Sequence, residues 1–144
     1  MNQSSCIFCK ILAGQAPASI VYRDERVTVF MDIQPVTPGH LLVIPNQHSA
    51  ALAGVDPETA AHMLRIGQRM AAALRTSGLR CEGVNLYLAD GEVAGQEVWH
   101  SHLHVIPRFA GDGFGLRMPA TYRSSRPARE QLDEIAGQLR AALG

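Results

Sequence analysis

The sequence predicts an α+β domain: a mainly antiparallel five-stranded sheet with a long central helix and a C-terminal helix. Three observations support this prediction. Short runs rich in β-branched and aromatic residues predominate, one long helical pattern interrupts them, and a second helical pattern ends the chain. The 144 residues fit one domain, residues 1–144, which is large enough to fold without a disulfide or a metal.

The N-terminal half carries the first strand patterns. Residues 19–31 predict two short strands, because β-branched and aromatic residues flank the charged pair Asp24 and Glu25, which forms the turn. Residues 34–39 contain two prolines and a glycine and therefore predict a loop. Residues 40–45 follow as a buried strand.

The C-terminal half begins with the long helix. Asp56 can cap its start, Pro57 suits the first helical position, apolar residues recur at helical spacing up to Leu74, and Gly78 marks the stop. Two further strands and the closing amphipathic helix are predicted at residues 83–89, 100–106 and 125–144.

Composition and charge exclude several classes of protein. Hydrophobic residues make up 47% of the chain and charged residues 18%, which is globular and not disordered composition. The 13 basic and 13 acidic residues cancel, so no overall field attracts nucleic acid or an acidic membrane surface. Residues 1–5 show no secretory pattern, and no apolar run approaches the roughly 20 residues of a membrane span. We therefore expect a cytoplasmic protein that binds neither nucleic acid nor membrane.

The sharpest feature is a run of three alternating histidines, His100, His102 and His104. On a strand, alternate side chains face one side roughly 6.5–7 Å apart, so three rings can surround one small group. A neutral imidazole is a nucleophile, and a second ring can hold phosphate oxygens or protonate a leaving group. The preceding loop, residues 91–96, contains two glycines, which let backbone N–H groups approach an anion. A phosphate-transfer site is favoured over a merely structural role for the histidines.

Cys6 and Cys9 form the second pattern. Two thiols at this spacing can chelate a tetrahedral Zn²⁺ if two further ligands are present, or they can form a redox pair. The redox alternative requires a strand-to-helix junction in a βαβ context, which this N-terminal sequence lacks. Together with Cys81 the chain has three cysteines, and an odd number argues against a disulfide framework.

These motifs together resemble the histidine-triad (HIT) family of nucleotide-binding proteins and hydrolases. The resemblance rests on the histidine run with Gly95 and Gln96 before it, on residues 30–33 and 38–45, and on His48. It covers about residues 6–109 and implies a HIT-like fold. It also implies cleavage of a nucleoside phosphoester or phosphoramidate at the α-phosphate, through a covalent nucleotidyl-histidine on His102. The substrate would be a purine nucleotide containing AMP or GMP, and no catalytic cofactor is required.

The resemblance also implies roles for individual residues. His102 and His104 are the catalytic positions, and His104 would contact phosphate oxygens. Asp32 would bind the ribose hydroxyls, with Gln96 towards the phosphate or leaving group, and the apolar walls around the base would be Phe30, Ile33 and Leu41. The zinc-bearing subgroup implies a structural Zn²⁺ held by Cys6, Cys9, His48 and His100. His40 is not among the predicted site residues, because a hydrogen-bonded histidine under the sheet explains it equally well.

Two positions depart from the pattern of the family. Glu97 stands where many members have Ser or Thr, and Asp90 stands in a region where many carry Asn. Two carboxylates beside a phosphate site would repel substrate. A nucleotide conjugate smaller than a dinucleotide polyphosphate is therefore the more compatible substrate.

Two other functions stay as alternatives. One is a nucleotide-binding regulatory or adaptor protein of the same fold with little turnover, and the other is a catalytic metal held by the three histidines.

The resemblance further implies a homodimer, in which a second copy covers the exposed sheet edge and the C-terminal segment approaches the partner's nucleotide site. The arginines of this segment form a solvated loop or accept the variable part of the substrate: Arg117, Arg123, Arg126 and Arg129.

Overall fold

The computed structural model describes residues 5–124 and 126–144. Within this part of the chain the elements are α1 (Ile7–Leu12), β1 (Ile20–Arg23), β2 (Val27–Met31), β3 (Leu41–Pro45), α2 (Pro57–Thr76), β4 (Gly83–Tyr87), β5 (Leu103–Arg108) and α3 (Arg129–Leu143). The five strands form one antiparallel sheet in the order β1-β2-β3-β5-β4. The predicted α+β class, five-stranded sheet and long central helix are confirmed.

The described residues form two compact units, one ending at Gly113 and the other running from Phe114 to Gly144. The second unit contains α3, which begins at Arg129 and not at residue 125. Pro127 explains part of the difference, because a proline disfavours helical backbone in the residue before it. Residues 1–4, which belong to the segment predicted to carry no secretory pattern, and Ser125 lie outside the described residues. The single domain over residues 1–144 stays a prediction.

Two clusters of buried side chains cover the two faces of the sheet. Helix α2 packs on one face, where Gly67 lets the helix approach so closely that an added Cβ would lie 2.9 Å from Leu103. The cluster on this face includes Val29, Leu41, Val43, Met63, Ile66, Met70, Leu74 and Val105. The other face carries a smaller cluster with α1, made of Cys6, Phe8, Phe30, Leu42 and Ile44. None of the helices among the described residues is long and apolar enough to cross a membrane.

The last strand begins later than its alternating sequence predicts. Strand β5 starts at Leu103, so His104 lies in the strand while His100 and His102 precede it. The ladder with β3 ends at the pair Val43 and Leu103. Before that point the backbone leaves the ladder, and the N–H of Ser101 donates instead to the carbonyl of Ser49 at 2.7 Å. The three histidines therefore do not all share a regular strand.

Asp24 ties the hairpin of β1 and β2 to helix α2. Its carboxylate accepts hydrogen bonds from the hydroxyl of Tyr22 and the backbone N–H groups of Arg26 and Val27, each at 2.8 Å, and it pairs with Nε2 of His62 at 2.7 Å. Partial burial alone would raise the pKa of Asp24, but these four interactions outweigh it and hold that pKa well below its usual value.

Replacing Asp24 with Asn is expected to lower the free energy of unfolding at pH 7 by about 1–3 kcal/mol, because an amide cannot accept all of these donors. The folded pKa is depressed, so the contribution of the carboxylate is complete well above the unfolded pKa of about 3.9 and is lost progressively as the pH falls from there to the lower folded pKa. The difference in stability between the two proteins should therefore be smaller at pH 3 than at pH 7. Denaturant titrations of both proteins at pH 7 and pH 3 measure this. Equal stabilities at pH 7 would contradict the prediction.

Candidate active site and metal centre

The three histidine rings form a row on the sheet face that carries α1. The ring of Phe8 lies edge-on to those of His100 and His102, with centroids 5.8 and 5.3 Å apart, and the His102 and His104 centroids are 4.8 Å apart. His104 lies opposite Leu42 of β3. His100 and His102 are buried and His104 is half-buried. The rings thus remain neighbours although only one of them lies in the strand.

The ring of His102 is held so that one nitrogen is left with a lone pair. Its Nδ1 lies 2.7 Å from the carbonyl oxygen of His100. A carbonyl oxygen only accepts, so Nδ1 carries the hydrogen, and Nε2 of the neutral ring is unprotonated. Burial lowers the pKa of His102, against the opposing effects of the His100 carbonyl and of the Asp32 and Glu97 carboxylates. A neutral imidazole with a free Nε2 can attack an electrophilic phosphorus.

His100 has the opposite tautomer. Its Nε2 donates to the carbonyl of Pro45 at 2.8 Å, so its unprotonated Nδ1 faces away from that carbonyl. Burial lowers the pKa of His100 to about 4, which keeps the ring neutral. A histidine whose second nitrogen donates to a backbone carbonyl is the usual arrangement of a metal ligand.

Four side chains from distant parts of the chain, His100 among them, each place one ligand atom within 4.8 Å of the others. Cys6 and Cys9 come from the start of the chain and α1, and His48 follows β3. Nδ1 of His100 lies 3.3 Å from Nδ1 of His48 and 3.5 and 3.7 Å from the sulfurs of Cys6 and Cys9, and the Cys9 sulfur lies 3.3 Å from His48. In a tetrahedral zinc site, bond lengths give N–N edges of about 3.3 Å and N–S edges of about 3.6 Å. The two thiols and two imidazoles therefore fit a Zn²⁺.

The Cys9 thiol of this cluster is held in its neutral form when no cation is bound. Burial and the neighbouring Cys6 raise the pKa of the Cys9 thiol to about 11. A divalent cation stabilises thiolate and releases the proton. Cys81 lies elsewhere, half-buried, and its thiol donates to the carbonyl of Gly83.

His104 is joined to a histidine outside the predicted site, His40. Nε2 of His40 lies 2.9 Å from Nδ1 of His104 and 3.6 Å from a carboxylate oxygen of Asp32. Nδ1 of His40 accepts the backbone N–H of Val36 at 3.1 Å. The alternation of a strand is enough to predict that His40 and Leu42 lie on the same face. The contact between His40 and His104 could not be predicted in this way, because it depends on β3 and β5 being neighbours in the sheet.

The three triad rings do not converge on one catalytic metal. His100 is directed at the cysteine cluster, Nδ1 of His102 at a backbone carbonyl, and Nδ1 of His104 at His40. This arrangement contradicts the alternative in which the three histidines are the ligands of a single ion.

The residues predicted to surround the base lie in three different environments. Leu41 packs in the α2-side cluster, so it is a core residue on the face opposite the triad. The next residue, Leu42, faces His104 because a shift of one residue along a strand changes the face. Phe30 is buried against Phe8 with ring centroids 5.3 Å apart, and the side chain of Ile33 is 91% exposed.

Gln96 organises the loop before the triad. Its side-chain carbonyl accepts the N–H of Gly91 at 2.8 Å, and its amide donates to the carbonyls of Ala50 and Val98 at 2.6 and 3.1 Å. These bonds engage both ends of the amide, so Gln96 holds the loop in this structure. The contact with the phosphate or leaving group that the resemblance implies stays a prediction. Gly91 and Gly95 adopt φ values of 101° and 89°, which favour glycine over residues with a side chain.

The two carboxylates that depart from the family pattern have different environments. Asp90 accepts the N–H of Leu52 at 2.8 Å and so stabilises a short turn. Glu97 is exposed, yet it interacts electrostatically with His102. A depression of about 570 Å³ beside the loop is lined by Glu92, Gly95, Gln96, Glu97 and Trp99.

Known proteins are similar to this chain over nearly its whole length. The family model for the HIT domain matches residues 13–111. Protein hit from Bacillus subtilis (strain 168) is 45% identical over 140 residues, which are 96% of this chain and 94% of the relative. Solved structures are similar as well. A Zn-bound histidine triad family protein from Mycobacterium smegmatis has 43% identity and a TM-score of 0.75, over 98% of this chain and 99% of that one. A histidine triad nucleotide-binding protein from Candida albicans has 29% identity and a TM-score of 0.84, over 96% and 97%.

Proposed function

The chain belongs to the HIT domain family, and on this premise we propose that it cleaves nucleoside phosphoesters or phosphoramidates at the α-phosphate. The intermediate is a nucleotide bound covalently to His102. The observation that supports this most directly is the hydrogen bond from Nδ1 of His102 to the carbonyl of His100. It leaves Nε2 as an unprotonated nucleophile in a ring that burial keeps neutral.

The reaction takes place in two steps. Nε2 of His102 forms a bond to the α-phosphorus, and the bond from phosphorus to the leaving oxygen or nitrogen breaks, so that the leaving group departs with its electron pair and takes up a proton. A water then attacks the phosphorus and the N–P bond breaks. This step releases a nucleoside monophosphate and a proton, and it restores the neutral ring.

The other nucleotide contacts follow from the residues around the triad. His104 donates to the phosphate oxygens, and Asp32, whose carboxylate accepts two hydroxyl donors, binds the ribose. Phe30, Ile33 and Leu42 are the apolar residues for the base, with Leu42 in place of Leu41 because only Leu42 lies on the triad face. The nucleotide-binding relative from Candida albicans supports a nucleotide as the ligand, and AMP or GMP conjugates are the substrates to test.

Glu97 favours one class of leaving group. Its negative charge interacts with His102, so a polyphosphate leaving group would meet repulsion where an amine or a small alcohol would not. A nucleoside phosphoramidate is therefore the preferred substrate over a dinucleotide polyphosphate.

Cys6, Cys9, His48 and His100 bind one structural Zn²⁺. The zinc-bound relative from Mycobacterium smegmatis and the fit of the donor distances support this ligand set. Four protein ligands complete a tetrahedral zinc site, so the ion would tie α1 to the segment before β5 and would fix the ring of His100. It takes no part in the bond changes at phosphorus.

The function is tested with a panel of adenosine and guanosine phosphoramidates, dinucleotide polyphosphates and adenylated peptides. We expect turnover of at least one phosphoramidate, with release of the nucleoside monophosphate, and slower turnover of the polyphosphates. Binding of these nucleotides without turnover of any of them would favour the alternative of a regulatory or adaptor protein. The cytoplasmic location stays a prediction from the sequence.

The active form is a homodimer. β4 is an outer strand of the sheet, and outer strands need a cover or a partner. Helix α2 buries Met63, Ile66, Met70 and Leu74 against its own sheet, and exposes small residues such as Ala61 and Ala72, which allow a second helix to approach closely. Two copies related by a two-fold axis can pair both features.

Light scattering of dilute protein is expected to give twice the chain mass of 15.6 kDa. In the dimer, the C-terminal segment of one chain approaches the nucleotide site of the other, where its arginines bind the variable part of the substrate. An active monomer at micromolar concentration would contradict both the dimer and the role of these arginines.

A further inference from the structure

His40 is a buried histidine whose two ring nitrogens both have partners. Its side chain is only 4% exposed. Nδ1 lies 3.1 Å from the backbone nitrogen of Val36, and Nε2 lies 2.9 Å from Nδ1 of His104. The nucleotide contacts proposed above do not involve this ring.

The backbone amide of Val36 determines which nitrogen of His40 carries the hydrogen. A backbone N–H is always a donor, so Nδ1 of His40 must accept, and in the neutral ring the hydrogen is on Nε2. That hydrogen is directed at Nδ1 of His104, which must therefore accept in turn. The neutral His104 ring consequently carries its own hydrogen on Nε2.

We infer that His40 is a positioning residue. The Val36 amide fixes the tautomer of His40, and His40 in turn fixes His104 as a donor through Nε2. The role of that donor rests on the proposed function, since a phosphate oxygen is an acceptor and needs an N–H from His104. With a hydrogen on Nδ1 instead, a neutral His104 would present a lone pair at Nε2 and would repel the phosphate oxygens.

A metal ion is the competing explanation of the same cluster. Asp32, His40 and His104 offer one carboxylate and two imidazoles within 4.8 Å of one another, a ligand set that divalent ions accept. To ligate through Nε2, however, a neutral His40 would have to carry its hydrogen on Nδ1, where it would meet the N–H of Val36. The hydrogen bond from Val36 therefore favours the chain of donors over a metal.

Long-range ¹H–¹⁵N correlation spectra of the full-length, histidine-labelled protein report the tautomer of each ring without any substrate. In the parent we expect hydrogen on Nε2 of both His40 and His104. H40F removes the donor and should leave His104 a mixture of tautomers. H40Q should restore the single form, because its amide can accept from Val36 and donate to His104.

Val36 provides a second route if H40F fails to fold. V36P removes the amide hydrogen, whereas V36A keeps it and shortens a side chain that is already 38% exposed. We expect mixed tautomers at His104 in V36P and the single parental form in V36A. Hydrogen on Nδ1 of His104 in the parent, or the same single tautomer in both H40F and V36P, would overturn the inference.

Kinetics and metal titration complete the test. With a phosphoramidate that the parent turns over, H40F should lower kcat by about tenfold and change KM by less than about threefold, because a donor to developing charge acts on the transition state. The kcat and KM of H40Q should stay close to those of the parent. If the parent shows no turnover, the tautomer result still decides the inference and only the proposed function fails. A second bound Zn²⁺ in the parent that H40F loses would show that the cluster is a metal site and overturn the inference.

Discussion

Replacing His102 with Ala or Asn is expected to lower turnover by at least about 10³-fold, because the covalent route has no other nucleophile at this position. Nδ1 of His102 donates to the carbonyl of His100, and this geometry makes Nε2 the reactive atom. Nucleotide affinity should stay within about tenfold, since the phosphate, ribose and base contacts come from other residues. Steady-state rates and equilibrium binding of the same phosphoramidate measure both effects.

The covalent intermediate can be detected directly. Parent protein quenched with acid during turnover should show, by intact mass spectrometry, the added mass of one nucleotidyl group, and the His102 variants should not. H62N is the matched control: His62 lies on α2 and pairs with Asp24 of the β1–β2 turn, so its loss should affect stability and leave kcat unchanged. Rates of the His102 variants within tenfold of the parent would remove the covalent mechanism.

Purified protein is expected to contain about one Zn per chain, and C9S should lose it. Cys9 contributes a sulfur that lies 3.3 Å from Nδ1 of His48 and 3.7 Å from Nδ1 of His100. A ligand present at about 1,000 times its dissociation constant stabilises the folded state by about 4 kcal/mol. For a domain of this size, such a loss lowers Tm by about 10 °C or more. Elemental analysis and thermal unfolding measure both results.

C81S separates the metal effect from the loss of a half-buried thiol. Cys81 lies outside the cluster, so this variant should keep both the zinc and most of the parental Tm. Treatment of the parent with a chelator should reproduce the Tm of C9S and should leave C9S unchanged. A metal-free parent with full thermal stability would show that Cys6 and Cys9 are not ligands.

Local signals were sufficient for much of the fold. The turn at Asp24 lies between two runs of strand-forming residues, and those runs form β1 and β2. Asp56 caps α2 by accepting the N–H of Thr59 at 2.9 Å, as its place before Pro57 indicates. In contrast, the six residues of α1 are too few to show a helical period, and the sequence did not predict that helix.

The candidate site depends both on local sequence motifs and on the tertiary structure. The three alternating histidines and the two cysteines are visible in the sequence, and the resemblance to a known family implied the ligands His48 and His100. Leu41 was predicted to contact the base, but Leu42 is the residue on the triad face, and this difference shows the limit of this reasoning. A pattern of alternation identifies residues that share a face of a strand, but it does not tell which face meets the site.

The sequence by itself determined the chemistry that is available, because imidazole, thiol and carboxylate groups are properties of the residues. Only the tertiary structure decided which nitrogen of each imidazole is free. His100, His102 and His104 have the same side chain, yet Pro45, the backbone of His100 and His40 direct them to different hydrogen-bonding patterns. These partners are brought together by the packing of α1, β3 and β5, and a tautomer depends on the single atom that each nitrogen faces.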